Sequence, residues 1–417
     1  MIRVVVVDGF SSGKFLAKKL REDGCVLFHI ASSPDIDGYY YVGFDSAIYE
    51  RSMVHTQTTC TLLELTHFDP DIIIAGAESG VLLADVLNEQ LGLDYANVFP
   101  RSQARRNKYQ MIQCVTEAGL PAPAQCAVDT WRDGKMWVAA HGKYPVVVKP
   151  LESAGADGVY VCRDLAACKG AFKALMGTRN KLNLDNSQVL FQEYLAGTEY
   201  VVNMVSLHGH PLVTEVVKYT KRVLETGSIV YDIDQLLACT DAPYAELVAY
   251  TREVVTCLGI RNGPSHAEVM YTEDGPKLVE IAARTDGILR PGVSALTTGL
   301  GQIDACALSI TRPLEFEQLL ASNQDYALFK HTYNVCLINC TEGVFCDEAF
   351  VQQLRTLASF FEVVFYVKNG QRIAPTRDVF SQPGTVYLIH DDLAQIEADY
   401  ARIREMEAAG IYLLESQ

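Results

Sequence analysis

The chain has 417 residues, enough for two to three domains and an ample core. Apolar residues make up 49%, charged residues 21% and aromatic residues 9%, an ordinary composition for a soluble globular protein. The formal net charge of −16 repels phosphate backbones and argues against a broad nucleic-acid surface, while leaving room for one local basic pocket.

The opening MIRVVVVDGF has too short an apolar run to span a bilayer and no cleavage pattern, and no run of about 18 apolar residues follows anywhere. No membrane partner is expected. Twelve cysteines are scattered without a CxxC pair, as in reduced core thiols of a cytosolic protein. Cys336 and Cys340 lack the nearby histidine or cysteine partners of a zinc set, so no metal–thiolate site is expected.

In chain order, RVVVVDGF predicts a buried strand and SGKFLAKKLREDG a helix closed by Gly24. CVLFHIA and PDIIIAGAESG predict two more strands, and VLLADVLNEQLGL a second helix. Apolar strands alternating with helices imply a small doubly wound parallel sheet, with ligands beyond the carboxyl ends of its strands, near Gly9–Lys14 and Gly76–Gly80. GFSSGK is not a P-loop: three residues separate its glycines instead of four, and Phe15 follows the lysine. Glu78 in GAESG is a candidate for holding a substrate ammonium, or a carboxylate facing a helix N-terminus.

From RNKYQMIQCVTEAGLPAPAQ a new unit begins, with a helix ending at Gly119 and an extended linker. The strand PVVVK ends on Lys149 and enters a loop, Glu152–Gly158, that contains Ser153, Gly155 and Gly158. A strand-end lysine beside a glycine-bearing loop suits a polyphosphate, whose oxygens the loop amides can approach closely; an ordinary hairpin is the alternative. In QVLFQEYLAGTEY, a strand flows into Gln192, Glu193 and Leu195, then Glu199, a connector able to meet a purine edge and ribose hydroxyls. The run VVKYTK, with Lys218, Tyr219 and Lys221, lines a substrate cleft or forms an edge strand.

GPSHAEVMYTEDGPKLVEIAAR reads as two strands around the turn EDG, which sets Glu268 opposite Glu280. Facing carboxylates on apolar strands repel unless a cation bridges them, and an all-oxygen set near phosphate suits Mg²⁺. Arg284 shares the face of Glu280 and offers a fork for a transferring phosphoryl group. His266 shares the parity of Glu268 and orients substrate, accepts a proton, or is a satisfied core histidine. The last stretch carries helical DEAFVQQLRTLASF and DLAQIEADYARIREMEAAG among strands FEVVFYVKNGQRI and TVYLIH, a compact α+β appendage. Asp286 or Asp378 could pair with a basic substrate.

Taken together, Lys108, Lys149, SAGADG, QEYLAGTE and the Glu268/Glu280 pair with Arg284 resemble the ATP-grasp superfamily, over roughly residues 1–310. KPLESAGADGV, EYVVNMVS and GPSHAEVM…LVEIAAR are similar to the bacterial L-amino acid ligases, which join two free amino acids. The resemblance implies an α/β and α+β multidomain protein with the ATP-grasp fold. It would comprise a Rossmann-like unit (1–105), a lid (106–205), a central unit with the metal site (206–322) and the appendage (323–417).

It also implies that Lys108 and Lys149 contact ATP phosphates, and that Gln192, Leu195, Glu199 and the Glu193 backbone hold the adenosine. Glu268 and Glu280 would bind Mg²⁺, with Mn²⁺ as a substitute. Many members carry an Asn two positions after the second glutamate, where this chain has Ala282, as the amino acid ligases tend to. The partners expected are amino acids, with a homodimer left open. The alternatives are another carboxylate–amine or carboxylate–thiol ligase, and a regulatory ATP-binding protein without catalysis.

Overall fold

A computed structural model describes every residue except 37, 154–156, 181, 225–228, 289, 323–324 and 415–417. The first four strands are β1 (Arg3–Val7), β2 (Val26–Ala31), β3 (Arg51–Val54) and β4 (Ile72–Ala75), in the parallel order β3-β2-β1-β4. Side chains alternate across it. Val5, Val7, Phe28 and Ile30 pack on one side with Leu65, Phe68, Val81 and Leu87, while Val4, Val6 and Leu27 meet Leu16 and Leu20 on the other. Both faces are therefore covered, which is why the strands read as unbroken apolar runs. The edge strand β3 was not legible in the sequence. Its RSMV is short and largely exposed, so it carries no apolar run.

A second, antiparallel sheet has β5 (Gln125–Val128), β6 (Val146–Pro150), β7 (Tyr160–Cys162) and β8 (Val189–Glu193) in the order β5-β8-β6-β7. Val146, Val148, Val189 and Phe191 pack behind it with Phe172 and Leu175. Alternation sends Lys149 and Gln192 to the opposite face.

The largest sheet has eight strands. In chain order these are β9 (Thr198–Leu207), β10 (His210–Val223), β11 (Ile229–Leu236), β12 (Gly263–Thr272), β13 (Gly275–Ala282), β14 (His331–Cys336) and, after the two-residue β15 (Gly343–Val344), β16 (Phe360–Phe365). The small β17 (Arg372–Ile373) pairs with β15, and β18 (Gly384–His390) completes the large sheet in the order β13-β12-β9-β10-β11-β14-β18-β16. Strands from the C-terminal stretch thus extend the central sheet through the β11–β14 pair. They also keep a core of their own, around Leu337, Phe350, Ile396 and Ile403.

The body that reads as β-rich in sequence also holds helices Tyr244–Cys257, Gln302–Thr311 and Pro313–Ser322. Leu247, Val254 and Leu258 of the first stretch pack against Val202, Met204, Ala267 and Val269, covering one face of the sheet. The opposite face carries Glu199, Asn203, His266, Glu268 and Glu280, as the cross-strand register requires. Among the described residues no single helix is long and apolar enough to cross a membrane.

Candidate active site

The polar face of the large sheet, the polar face of the β5–β8 sheet and the first turn of helix Lys108–Glu117 meet around one cluster of charges. Lys108 is the first helical residue, following the N-cap Asn107, whose side chain accepts from the amides of Tyr109 and Gln110. A helix N-terminus repels a cation, so Lys108 is held from outside its helix. Its Nζ lies 2.6 Å from Glu280 Oε2 and donates to the Ser153 carbonyl at 3.2 Å.

Glu280 and Glu268 are direct cross-strand partners, with an irregularity in register just after Glu268. Burial alone would push the Glu280 carboxyl up, but Lys108, Lys149 and Arg284 pull it down to about 2, so it stays ionised. Lys149 is buried, with only 4% of its surface exposed. Burial and the neighbouring Lys108 lower its ammonium to about 8, against the opposing pull of Glu280, Glu268 and Glu199. Two lysines and two glutamates from three separate chain segments thus sit within each other's fields.

Arg284 extends beyond β13 and its Nε donates to Glu78 Oε2 at 3.2 Å. The other oxygen of Glu78 accepts from Arg106. Glu78 therefore joins the carboxyl end of β4 to the Glu268/Glu280 hairpin, and the ammonium role expected for it has to compete with two guanidinium groups. Ser12 and Thr285 add a second tie, Thr285 Oγ1 lying 2.9 Å from Ser12 Oγ.

His266 is buried, its Nδ1 3.0 Å from Asn203 Oδ1 and 3.5 Å from Asp286 Oδ2, and its Nε2 3.7 Å from Glu268 Oε1. Burial lowers its pKa, but Asp286 and Glu268 outweigh that and raise it to about 9, so the ring is cationic at neutral pH. Burial works against Asp286 as well, yet His266 and Asn203 hold its carboxyl below the usual range.

Gln192 Nε2 donates to Gln125 Oε1 at 3.3 Å. The Glu193 amide bonds the Ala124 carbonyl at 2.8 Å, its carboxylate accepts from the Ala124 amide at 2.9 Å, and Lys277 lies 3.6 Å away. Leu195 is buried. Glu199 is buried and paired with Lys221, with Tyr231 Oη 3.5 Å away. Burial raises its carboxyl despite Lys221.

Of the expected glycine loop, Gly155 lies outside the described residues. Ser153 is buried, and Gly158 has a φ of +72°, with a Cβ there landing 2.8 Å from Leu175 Cδ2. Only glycine fits that position without strain. Lys218, expected beside the cleft, pairs in register with Gln235 and Tyr200, while Lys221 reaches Glu199. Asp378 caps a short 3₁₀ turn of the C-terminal stretch, accepting from the Ser381 amide at 2.9 Å.

Sequence reasoning missed Asp8, Arg106 and Asn203 here. Asp8 ends β1 and accepts from the amide and hydroxyl of Ser32 and the hydroxyl of Ser79. Asn203 had a signal: it is polar at even spacing from Glu199 in the apolar strand TEYVVNMVSL. Arg106, one of several basic residues in its stretch, had none.

An ATP-grasp domain model matches residues 142–290, the span holding Lys149, Gln192, Glu268, Glu280 and Arg284. Dapdiamide A synthase of Enterobacter agglomerans is 34% identical over 413 residues, covering 97% of this chain and 96% of that protein. The chain belongs to the ATP-grasp family. It is an ATP-grasp carboxylate–amine ligase. The L-amino acid ligase from Bacillus licheniformis superposes with a TM-score of 0.74 at 17% identity, over 97% of each chain, a likeness of fold. Human carnosine synthase 1 is 24% identical over 308 residues, 68% of this chain and 36% of that protein. In this ATP-grasp chain Lys108, Arg106 and Glu78 fall before the matched segment, so the charge cluster draws on parts outside it.

Proposed function

We propose that this ligase joins two unprotected L-amino acids into a dipeptide by way of an aminoacyl phosphate. The observation that carries the reading is the Glu268–Glu280 pair meeting Lys108 and Lys149, a seat for the polyphosphate tail of one nucleotide. In the first step a carboxylate oxygen of one amino acid attacks the γ-phosphorus of ATP and the bond to the β-phosphate oxygen breaks, releasing ADP. In the second, the neutral amine of the other amino acid attacks the acyl carbon. It loses a proton, and phosphate leaves.

Lys149 and Lys108 offset the charge of the β- and γ-phosphates. The fork of Arg284, oriented by Glu78, faces the transferring phosphoryl group and then the oxyanion of the tetrahedral stage. His266, cationic and fixed by Asn203 and Asp286, orients the reacting carboxylate. Gln192, Leu195, Glu199 and the Glu193 backbone hold the adenosine, and the Ser153–Gly158 loop keeps water from the acyl phosphate.

Glu268 and Glu280 fit Mg²⁺, or Mn²⁺ in its place, because both are oxygen donors facing each other across strands. Among the described residues no cluster of three or more His, Cys, Asp or Glu stands ready for a metal, so phosphate oxygens and water would complete the shell. Bound there, the ion supplies neutralisation of phosphate charge.

The test is incubation with ATP, Mg²⁺ and pairs of free amino acids, followed by ADP release and product mass. One dipeptide per ADP supports the reading. ADP without any dipeptide mass moves the activity to another carboxylate–amine pair, and no ADP with any pair overturns it.

A further inference from the structure

Almost every charge on the polar face of the large sheet has a partner, but one carboxylate does not. Asp234 on β11 is 1% exposed, and neither of its oxygens has a hydrogen-bond partner. Its direct cross-strand partner on β14 is Asn334, also 1% exposed, whose Oδ1 is unpartnered too. Cross-strand partners hold their Cβ atoms about 5 Å apart. Three acceptor atoms thus converge with no donor assigned to them. Leaving such groups dry costs about 1–3 kcal/mol each, and more for a charge.

Register fixes the side they face. Asp234 is paired with Tyr219, Tyr219 with Glu199, and Asn334 with Tyr387. Tyr387 Oη donates to the Ile288 carbonyl at 3.1 Å, in the segment that follows Arg284. The alternate residues Tyr333 and Val335 point away, into the C-terminal core. Asp234 and Asn334 therefore lie on the face that carries Glu199, Glu268 and Glu280.

The surroundings are acidic. Burial, then Asp286 and Glu199, push the Asp234 carboxyl well above its usual range, and Lys221 opposes them. Lys221, the one cation among those acting on Asp234, is already engaged by Glu199. No resident cation is left to satisfy the pair among the described residues.

Resting on the dipeptide-ligase reading, we infer that Asp234 and Asn334 form the seat for a substrate ammonium group, at the end of the substrate remote from the reacting carboxyl. An ammonium offers three donors, enough for both Asp234 oxygens and Asn334 Oδ1. Its place agrees. Asp234 stands three strands across from Glu268, on the order of 14 Å at the usual strand spacing. The proposed phosphoryl chemistry lies at Arg284 and Glu280, and this seat lies across the same face of the sheet.

The ammonium is the side-chain amine of a diamino acid, because an α-ammonium shares its carbon with the carboxyl and cannot reach this end, and one experiment tests it. Wild type, D234N and N334L are assayed with lysine, ornithine and norleucine, and lysine binding without ATP is followed by thermal shift. Loss of the seat raises KM by roughly 10- to 100-fold, the worth of a charged hydrogen bond. A rise for lysine and ornithine but not norleucine supports the seat; an equal rise for all three overturns it, since norleucine has no side-chain amine. Unchanged KM for all three substrates, with lysine stabilising D234N as much as wild type, overturns the seat. The thermal-shift arm needs no ligation, so it reads the seat even if no dipeptide forms. D234N keeps the size and shape of the side chain, so it stays testable.

Discussion

The parallel N-terminal sheet and the eight-stranded sheet use polar residues in opposite ways. In the first, both faces are packed, and chemistry enters only where strands end, at Asp8 after β1 and Glu78 after β4. In the second, one face rests on helix Tyr244–Cys257 and the C-terminal core, and the other sets Glu280, Glu268, Glu199 and Asn334 around a buried apolar patch of Val201, Val217, Tyr219 and Leu236. A sheet covered on both sides can offer only its rim, whereas a sheet covered on one side can offer a surface. On the proposed reading the rim would orient and the surface would bind. The Glu78–Arg284 contact at 3.2 Å is where the two meet.

If the surface carries the nucleotide chemistry, its strongest disruption is Glu280→Gln. This removes a proposed metal ligand and the partner of Lys108 together. We expect turnover to fall by roughly 10³-fold or more, with nucleotide binding weakened but measurable by calorimetry. Turnover within a fewfold of wild type would break the assignment of the surface. Arg284→Lys comes next, keeping the charge while losing the fork, with kcat expected to fall about 100-fold. KM for ATP should change little, which distinguishes a group acting on the transferring phosphoryl from one that grips the nucleotide.

The rim is tested through Glu78→Gln. The change leaves Arg106 and Arg284 without their shared carboxylate, and breaking a largely buried pair costs about 3 kcal/mol. Stability in urea should drop accordingly, and kcat should fall less than for Arg284→Lys, since Arg284 itself remains. If kcat instead falls as far as in Glu280→Gln while KM for the carboxylate substrate rises, Glu78 touches substrate and the rim binds as well as orients.

Gly158 tests the lid. Alanine there meets Leu175 Cδ2 and Pro150 Cγ at a φ of +72°. We expect a loss of about 1–3 kcal/mol, together with a higher KM for ATP, by chemical denaturation and steady-state kinetics.

What was legible in the sequence follows the same division. The parallel strands announced themselves as continuous apolar runs, and the site strands as alternation, with His266 and Glu268 facing one way and Ala267 and Val269 the other. Pairing of Glu268 with Glu280 followed from the short turn between their strands. Three kinds of feature stayed hidden. The polar edge strand β3 buries too little to leave an apolar signature. Arg106 pairs with Glu78 and Asp234 stands across from Asn334, positions apart in sequence that only the folded chain brings together. Helix Tyr244–Cys257 was obscured because its valines and tyrosines suit a strand as readily, until the 3.6-residue spacing of its buried Leu247, Tyr250, Thr251 and Val254 is followed.

The smallest effect is also the most specific to the surface, and it comes from pH. His266 gains protons on folding, with its pKa raised from 6.5 to about 9 by Asp286 and Glu268 over the opposing effect of burial. The stabilisation is fully present below pH 6.5 and is lost as pH climbs through about 9, because the folded state then binds more protons than the unfolded one. Lys149 has the opposite sense. Burial lowers it from 10.5 to about 8, so between those values the unfolded chain binds more protons and stability rises with pH. Between pH 6.5 and 8 the histidine acts alone of the two, with a slope of up to about 1.4 kcal/mol per pH unit. His266→Gln should lessen the fall of urea-derived stability across that window, leaving the part due to Glu215, which burial raises to about 7. An unflattened slope would mean that the Asp286 charge is met by something other than this imidazolium. Asn203, which donates to the same carboxylate at 2.9 Å, would then be the residue that holds the surface in place.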